Sequence, residues 1–464
     1  VQLYSGVSFF VSEITFPARD RAKFPDHRHF CLTRGLNNDT LTMIDHNTIL
    51  IPRAMKITDV NSTVLVVPNC QADACDSAQD TIVVTVHTDD GLVGIGEVDA
   101  NPWIIKATIE APGSHIMSLG LKELLMGQDP CQPAAIWDRL YTFTAMSGRR
   151  GAGICAIGAL DMAIWDLYGK AMSRPVWQLL GGARQDSITP YASLLPSGRT
   201  LQEYKTSLLA KAKWAKDYGF HAAKMEICVK GPYAHNLLFE DDEVVVDIVA
   251  ACREAVGPAM VMMVDVAYAW SDWKAALRIL RQLEPYDVFF LETPLRSDDL
   301  DGYARLSDAT SIRIAAGEWL NSRFEFADLM DRGRVDVAQP DVGRVGGLTE
   351  ALRVVEMALD RGKIIVPHCW KTGIGVAASA HLAATSPNCR FIEFLPPSVA
   401  ESALRRDLVS EELQIENGKL ALPRRPGLGI DLNHEAMESF ARNADAYASA
   451  RRALTAPIQV NALT

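Results

Sequence analysis

Asp265, Glu292, Glu318, Asp341, His368 and Glu393 recur along the second half of this 464-residue chain at intervals of 23 to 27 residues. Each closes a short apolar run, as in Met-Val-Asp265, Phe-Leu-Glu292, Ala-Ala-Gly-Glu318 and Val-Pro-His368. One acid at a strand end is usually a turn or cap residue. Polar groups at the same place in successive units have no packing rationale and point to a shared site. Asp265, Glu292 and Glu318 make a hard, all-oxygen donor set suited to Mg²⁺, and their strand ends carry neither Cys nor His, which disfavours zinc. Asp341 and His368 come next in order. An acid beside an imidazole fixes its tautomer, so His368 is expected to act as a base. Metal and base together define a reaction class. Taking the proton beside a carboxylate puts a second negative charge on its oxygens, which a divalent ion stabilises.

Those residues need a scaffold that brings distant segments to one mouth. From about residue 188 short apolar strands alternate with longer helical stretches. The strands read as 189–193, 222–227, 261–266, 288–293, 313–318, 335–340, 363–368 and 391–396, with helices such as 204–217, 272–283, 299–306 and 347–361 between them. Eight strands, most followed by a helix, predict a parallel barrel whose strand ends converge. Upstream, residues 55–68 have strand character, and 81–98 form a hairpin turning at Asp89-Asp90-Gly91. Residues 152–171 form a helix with one apolar face. The glycines at 148, 151 and 153 lack the Lys-Ser/Thr ending of a phosphate loop and are expected to serve close helix packing. Past the eighth strand, a hairpin at Asn417-Gly418 and a helix from about 434 to 451 are expected to return to the upstream unit.

The expected organisation is therefore an α+β cap over 55–187, a barrel over 188–400, and a C-terminal segment over 401–464 that rejoins the cap. Residues 1–54 show no sustained period and are expected to be a poorly ordered extension or an over-long gene reading, with Met55 the natural start. A chain starting at Met55 that failed to fold would contradict that. The composition, 48% hydrophobic and 22% charged, is that of a globular protein, with no apolar run of membrane-spanning kind. A net charge of -11 supplies no basic field for nucleic acid, so none is expected as a partner. The nine cysteines lack metal or redox spacing and read as reduced thiols of a cytoplasmic protein. His27 and His29, the one tight histidine pair, read as solvated.

Residues 55–450 resemble the enolase superfamily, and within it the mandelate racemase subgroup. A Lys or His base working with magnesium is a known property of that superfamily. The resemblance rests on Met-Val-Asp265-Val, Phe-Leu-Glu292-Thr-Pro, Ala-Ala-Gly-Glu318-Trp, Gln-Pro-Asp341-Val-Gly-Arg-Val-Gly-Gly and Val-Pro-His368. It implies a modified (β/α)7β barrel with an α+β cap, one Mg²⁺ per subunit, homo-oligomers from dimer to octamer, and Glu393 hydrogen-bonding the substrate carboxylate. It also implies that loops near 67–80 and around Trp103 close over the substrate.

Two departures from the family pattern narrow the chemistry. Where racemases of the subgroup carry Lys-x-Lys, this chain has Lys224-Met225-Glu226, and Ala267 replaces the Asn of Asp-x-Asn. Lys224 and Glu226 share one side of a strand. A carboxylate beside an ammonium favours the charged form of both, so Lys224 is expected to stay protonated as an electrostatic partner of the substrate. One-base elimination is then favoured: dehydration of a small anionic sugar acid, an aldonate or aldarate, to a 2-keto-3-deoxy acid. The rivals are racemisation, epimerisation or cycloisomerisation with Lys224 or Glu226 as second acid/base, and an inactive sugar-acid-binding homologue. Trp370 and Lys371 are expected to line the pocket, a ring for a sugar face and a cation for a distal carboxylate.

Overall fold

The computed structural model describes residues 55–71, 76–400 and 402–453, with the backbone of Cys31–Arg34 and Leu41–Ile44, which pair as antiparallel strands. The rest of 1–54, the expectation about its order, and His27 and His29 lie outside the described residues, as do 72–75 within the expected closing loop.

The cap is built on an antiparallel sheet of β1 (Ile57–Val66), β2 (Asp80–Thr88) and β3 (Val93–Val98). Alternation of β-branched residues places one face against α2 (Ala152–Ala171), and α1 (Pro102–Glu110) packs beside them. Two glycines of the sheet, Gly94 and Gly96, admit the helix backbone: a Cβ on either would lie 2.1 Å from a carbonyl oxygen of α2. On α2 itself Gly158 plays the matching part, because a Cβ there would sit 1.9 Å from the Gly343 carbonyl oxygen, just past Asp341. Of the glycines at the start of α2, only Gly153 meets the expectation of close packing, since a Cβ there would lie 2.0 Å from the Gly148 carbonyl oxygen; Gly148 and Gly151 instead take positive φ, +92° and +73°, in the turn. α2 is the one described helix long and apolar enough to cross a membrane, and 89% of its apolar window is buried inside the protein.

The barrel strands are β4 (Pro190–Leu194), β5 (Ala222–Glu226), β6 (Val261–Asp265), β7 (Val288–Glu292), β8 (Arg313–Ala316), β9 (Val337–Ala338), β10 (Ile364–Ile365) and β11 (Ile392–Phe394). Between them run α3 (Leu201–Tyr218), α4 (Glu243–Val256), α5 (Trp273–Leu283), α6 (Leu300–Ala309), α7 (Ser322–Asp331), α8 (Leu348–Asp360) and α9 (Gly373–Thr385). All neighbouring strands are parallel in the order β10-β9-β8-β7-β6-β5-β4-β11, and a parallel bridge between Ile365 and Cys389 closes the ring. This is the expected (β/α)7β barrel. β9 and β10 are shorter than expected at both ends; at the C-terminal end Pro340 and Pro367 carry no N–H to continue the ladder.

Inside the ring, Ala222, Met263, Phe290, Ala315, Val337 and Val366 form an apolar layer. A strand returns to the same face every second residue. Two positions further toward the C-terminal mouth therefore stand Lys224, Asp265, Glu292, Gly317, Gln339 and His368. The chemistry-bearing layer rests directly on a packed floor.

The C-terminal segment returns as expected. Ile415–Glu416 and Lys419–Ala421 turn at Asn417-Gly418 and pair with Ser187–Ile188, and α10 (His434–Arg452) packs on β1. His381 on α9 joins these parts: its Nδ1 accepts from the Trp177 amide at 3.1 Å, and Nε2 donates to the Leu428 carbonyl at 3.2 Å. Burial pushes this imidazole down to about 4 from 6.5. Because the folded value lies below the unfolded one, protonation favours unfolding. The stabilisation is complete above pH 6.5 and is lost on descending toward 4, by roughly 3 kcal/mol in all. Urea midpoints should accordingly fall between pH 7 and 5 more steeply in the wild type than in His381→Gln; parallel slopes would refute the assignment.

Candidate active site

Asp265, Glu292 and Glu318 offer carboxylate oxygens that all lie within 4.8 Å of one another. β6 and β7 set the first two side by side, since Asp265 and Glu292 are direct partners in the ladder. Glu318 reaches the site differently. Gly317 takes a φ of +128°, a conformation suited to glycine, and the turn swings Glu318 inward from the end of β8. The Tyr268 hydroxyl donates to its Oε1 at 2.8 Å.

Across the mouth, His368 Nδ1 is 2.8 Å from Asp341 Oδ2, and Nε2 is 3.3 Å from Glu318 Oε2. Asp341 is itself fixed, because its Oδ1 accepts from the Arg344 amide at 3.0 Å at the start of a short helical turn. Nδ1–H thus donates to Asp341, and Nε2 faces the carboxylates. Burial lowers the imidazole's affinity for a proton, but the charges of Glu393, Asp341 and Glu318 outweigh it and push the group up to about 9.

Lys224 stands among four carboxylates: 2.7 Å from Glu393, 3.0 Å from Glu292, 3.5 Å from Asp265 and 3.6 Å from Glu226. Burial disfavours its charge, yet Glu292 and Glu393 hold it as an ammonium. Glu226 departs from expectation. Burial, reinforced by the charge of Asp265, pushes its carboxyl well up against the opposing pull of Lys224. Glu393 is the opposite case: burial opposes its ionisation, but Lys224 and His368 hold it down to about 2.

Each of the four expected substrate contacts has partners within the protein. Glu393 is fully buried and ionised, and its oxygens are taken by Lys224, by Ser193 Oγ at 2.7 Å and by the Cys369 amide at 2.8 Å. Lys371 is 4% exposed and is spent on the cap, bonding the carbonyls of Ser77 and Asp80 and the carboxylates of Asp80 and Asp99. Trp370 donates from Nε1 to Asp76 at 3.0 Å and packs with Ala78, Leu395 and Ala400. Trp103 stacks on Tyr447 of α10, with ring centroids 6.0 Å apart, on the sheet side of the cap. In each case a residue placed near the mouth in sequence satisfies itself on the cap or the barrel wall.

Other residues were not singled out by sequence reasoning. Asp99, at the end of the cap hairpin, joins Asp341 and His368 in a second tight group, but Arg344 and Lys371 already neutralise it. Its signal is the alternation of Glu97 and Asp99 on an otherwise apolar strand. Gln339 and Ser193 follow from the period of two above Val337 and Tyr191. The Gln339 side chain is wholly buried, and neither its Nε2 nor its Oε1 has a partner.

The donor set fits a divalent cation. Asp265, Glu292, Glu318 and Glu393 are paired with Lys224 and His368, four carboxylates against two cations, which leaves surplus negative charge. Burial pushes Glu292 up to about 8 despite Lys224, as expected of carboxylates short of a counter-charge. Hard oxygens with little exposure, beside an unpaired amide, suit a small cation that keeps positions for other oxygen ligands.

Comparison with known proteins places this geometry in company. The sequence profile of the mandelate racemase/muconate lactonizing enzyme N-terminal domain matches residues 53–181, and that described as enolase C-terminal domain-like matches 207–436. The chain is 31% identical over 365 residues to an arabinonate dehydratase of Saccharolobus solfataricus, covering 77% of this chain and 90% of that one. It is 29% identical to a D-galactarolactone cycloisomerase of Agrobacterium fabrum, again covering 77% and 90%. A racemase of Streptomyces coelicolor A3(2), solved with bound magnesium, superposes with a TM-score of 0.70 at 26% identity, over 83% of this chain and 99% of that one.

Proposed function

The chain belongs to the mandelate racemase/muconate lactonizing enzyme family of the enolase superfamily, and from that premise we propose that it is a Mg²⁺-dependent dehydratase that converts a sugar acid into a 2-keto-3-deoxy acid. The observation that carries the proposal is the His368–Asp341 pair facing the three carboxylates, with Nε2 turned toward them.

Asp265, Glu292 and Glu318 would hold the ion. Bound there, a divalent cation supplies charge stabilisation to the substrate carboxylate as its α-proton leaves. With the charge of the neighbouring carboxylates neutralised, His368 is no longer held as an imidazolium and its Nε2 takes that proton, and the Asp341 carboxylate steadies the imidazolium that results. The electrons of the C–H bond form the C2–C3 double bond, the β C–O bond breaks, and the hydroxyl departs with a proton from the protonated imidazole as water. Tautomerisation of the enol then yields the keto acid. Lys224 supports a one-sided course, because an ammonium held by Glu292 and Glu393 cannot serve as a base on the opposite face. The free thiols of the seven described cysteines support a reducing, cytoplasmic setting.

Cycloisomerisation is the second reading, favoured by the similarity to the galactarolactone enzyme, which matches over as much of the chain as the dehydratase does. Incubation with a panel of aldonates and aldarates in D₂O separates the two. The expected result is a product that reacts with semicarbazide and forms only with Mg²⁺ present. Deuterium exchange with a new isomer and no keto acid would replace dehydration by isomerisation. No turnover of any panel member would refute both.

A further inference from the structure

A cavity of about 810 Å³ lies beside the carboxylate site: none of the three acids lines it, but Tyr268 and Trp319, the residue after Glu318, do. Tyr268, one of its walls, is also the residue whose hydroxyl bonds Glu318. The chain arrives there through two successive left-handed residues, Ala267 at φ +44° and Tyr268 at φ +61°. Such a conformation is costly for a residue with a Cβ and needs local support. The support is present: Asp265 Oδ1 accepts from the Ala267 amide at 2.9 Å, and the Tyr268 amide donates to the Thr293 carbonyl at 2.7 Å. The turn folds the Tyr268 ring over the mouth, where Trp319 stacks on it with centroids 4.1 Å apart and planes 26° apart. Tyr233 meets Trp319 edge-on at 5.0 Å. Trp319 and Tyr233 are each 39% exposed, so this aromatic wall presents open surface to the cavity.

The wall's charges are matched. Lys230 pairs with Asp242, Arg296 pairs with Asp298 at 2.8 Å, and Asp272 adds a further carboxylate at the start of α5. No surplus cation awaits a second acid group among the residues lining the cavity. Trp370 and Lys371, the ring and the cation expected from sequence for the far end of a substrate, are engaged elsewhere. The volume is also well beyond what one open-chain six-carbon acid fills. An aromatic face is electron-rich, and the C–H groups on one side of a sugar ring meet it favourably.

We propose that the cavity walled by Tyr233, Tyr268 and Trp319 is the subsite for the end of the substrate remote from the reacting carboxylate, and that it takes a sugar ring carried by a monocarboxylic acid. The inference rests on the sugar-acid reading above and narrows it, against aldarates and short linear aldonates.

Binding and turnover test it separately. Calorimetric titration of the Mg²⁺-loaded wild type with lactobionate, galactonate and galactarate should show lactobionate binding about tenfold tighter or better than the other two. Trp319→Ala and Tyr233→Ala should each remove most of that advantage while leaving galactonate binding within about threefold, with melting curves confirming that both variants fold. Equal affinities in the wild type, or an advantage that persists in both variants, would overturn the subsite. Failure of the sugar-acid reading has a different signature, absence of turnover across the whole panel.

Discussion

Asn in place of His368 should lower turnover of the sugar-acid substrate by roughly 10²- to 10⁴-fold, the usual contribution of a positioned base. The reasoning lies in the geometry. Nδ1 is committed to Asp341 at 2.8 Å, which leaves Nε2 as the one ring nitrogen directed at the carboxylates. Asn preserves size and a hydrogen-bonding group toward Asp341 but accepts no proton. Mg²⁺ affinity should stay near the wild-type value, since His368 is not in the triad. Solvent deuterium should also stop entering the α-position, because exchange needs the same proton transfer. The decisive measurement is single-turnover kinetics together with exchange by NMR. Activity within tenfold of wild type would remove His368 from the role of base.

Lys224→Met should destabilise the metal-free protein by roughly 3–5 kcal/mol, the scale for removing one member of a buried ion pair. Lys224 is 1% exposed and touches Glu292, Glu393, Asp265 and Glu226, all within 3.6 Å. Deleting its charge leaves those carboxylates to repel one another with little solvent to screen them. Added Mg²⁺ should restore part of the loss, so the rise in urea midpoint on adding the metal should be larger in the variant than in the wild type. Equal midpoints for variant and wild type without metal would show that the ammonium is not the counter-charge of this cluster.

The barrel and the order of its polar residues could be read from the chain because both depend on a local, repeating pattern. An apolar strand, a polar terminus and a helix recur at one spacing, and neighbouring strands then bring Asp265, Glu292 and Glu318 together whatever the loops do. Loops obey no such period. Trp370, Lys371 and Trp103 each had the right chemistry for a substrate, but their partners, Asp76, Asp99 and Tyr447, are remote in sequence and follow no register. Glu226 illustrates a different limit. Its neighbour Lys224 is visible in sequence, whereas Asp265 and the burial that dominate its carboxyl come from the adjacent strand. Trp319 follows Glu318 in plain view, yet its stacking on Tyr268 depends on a pair of left-handed residues that no composition rule announces.

Glu97 of the cap accepts from the Thr372 hydroxyl and the Gly375 amide at the start of α9, while Lys371 binds Asp80 and Asp99 of the same cap. The segment that follows His368 is therefore fastened from outside the barrel. Recombination between relatives cannot treat cap and barrel as interchangeable modules here. A chimera that imports a foreign cap inherits new anchors for residues 371–375, and with them a new alignment of His368. Shuffling intended to alter which acid is accepted would alter proton transfer in the same stroke, unless the residues around Asp80, Glu97 and Asp99 travel with the barrel.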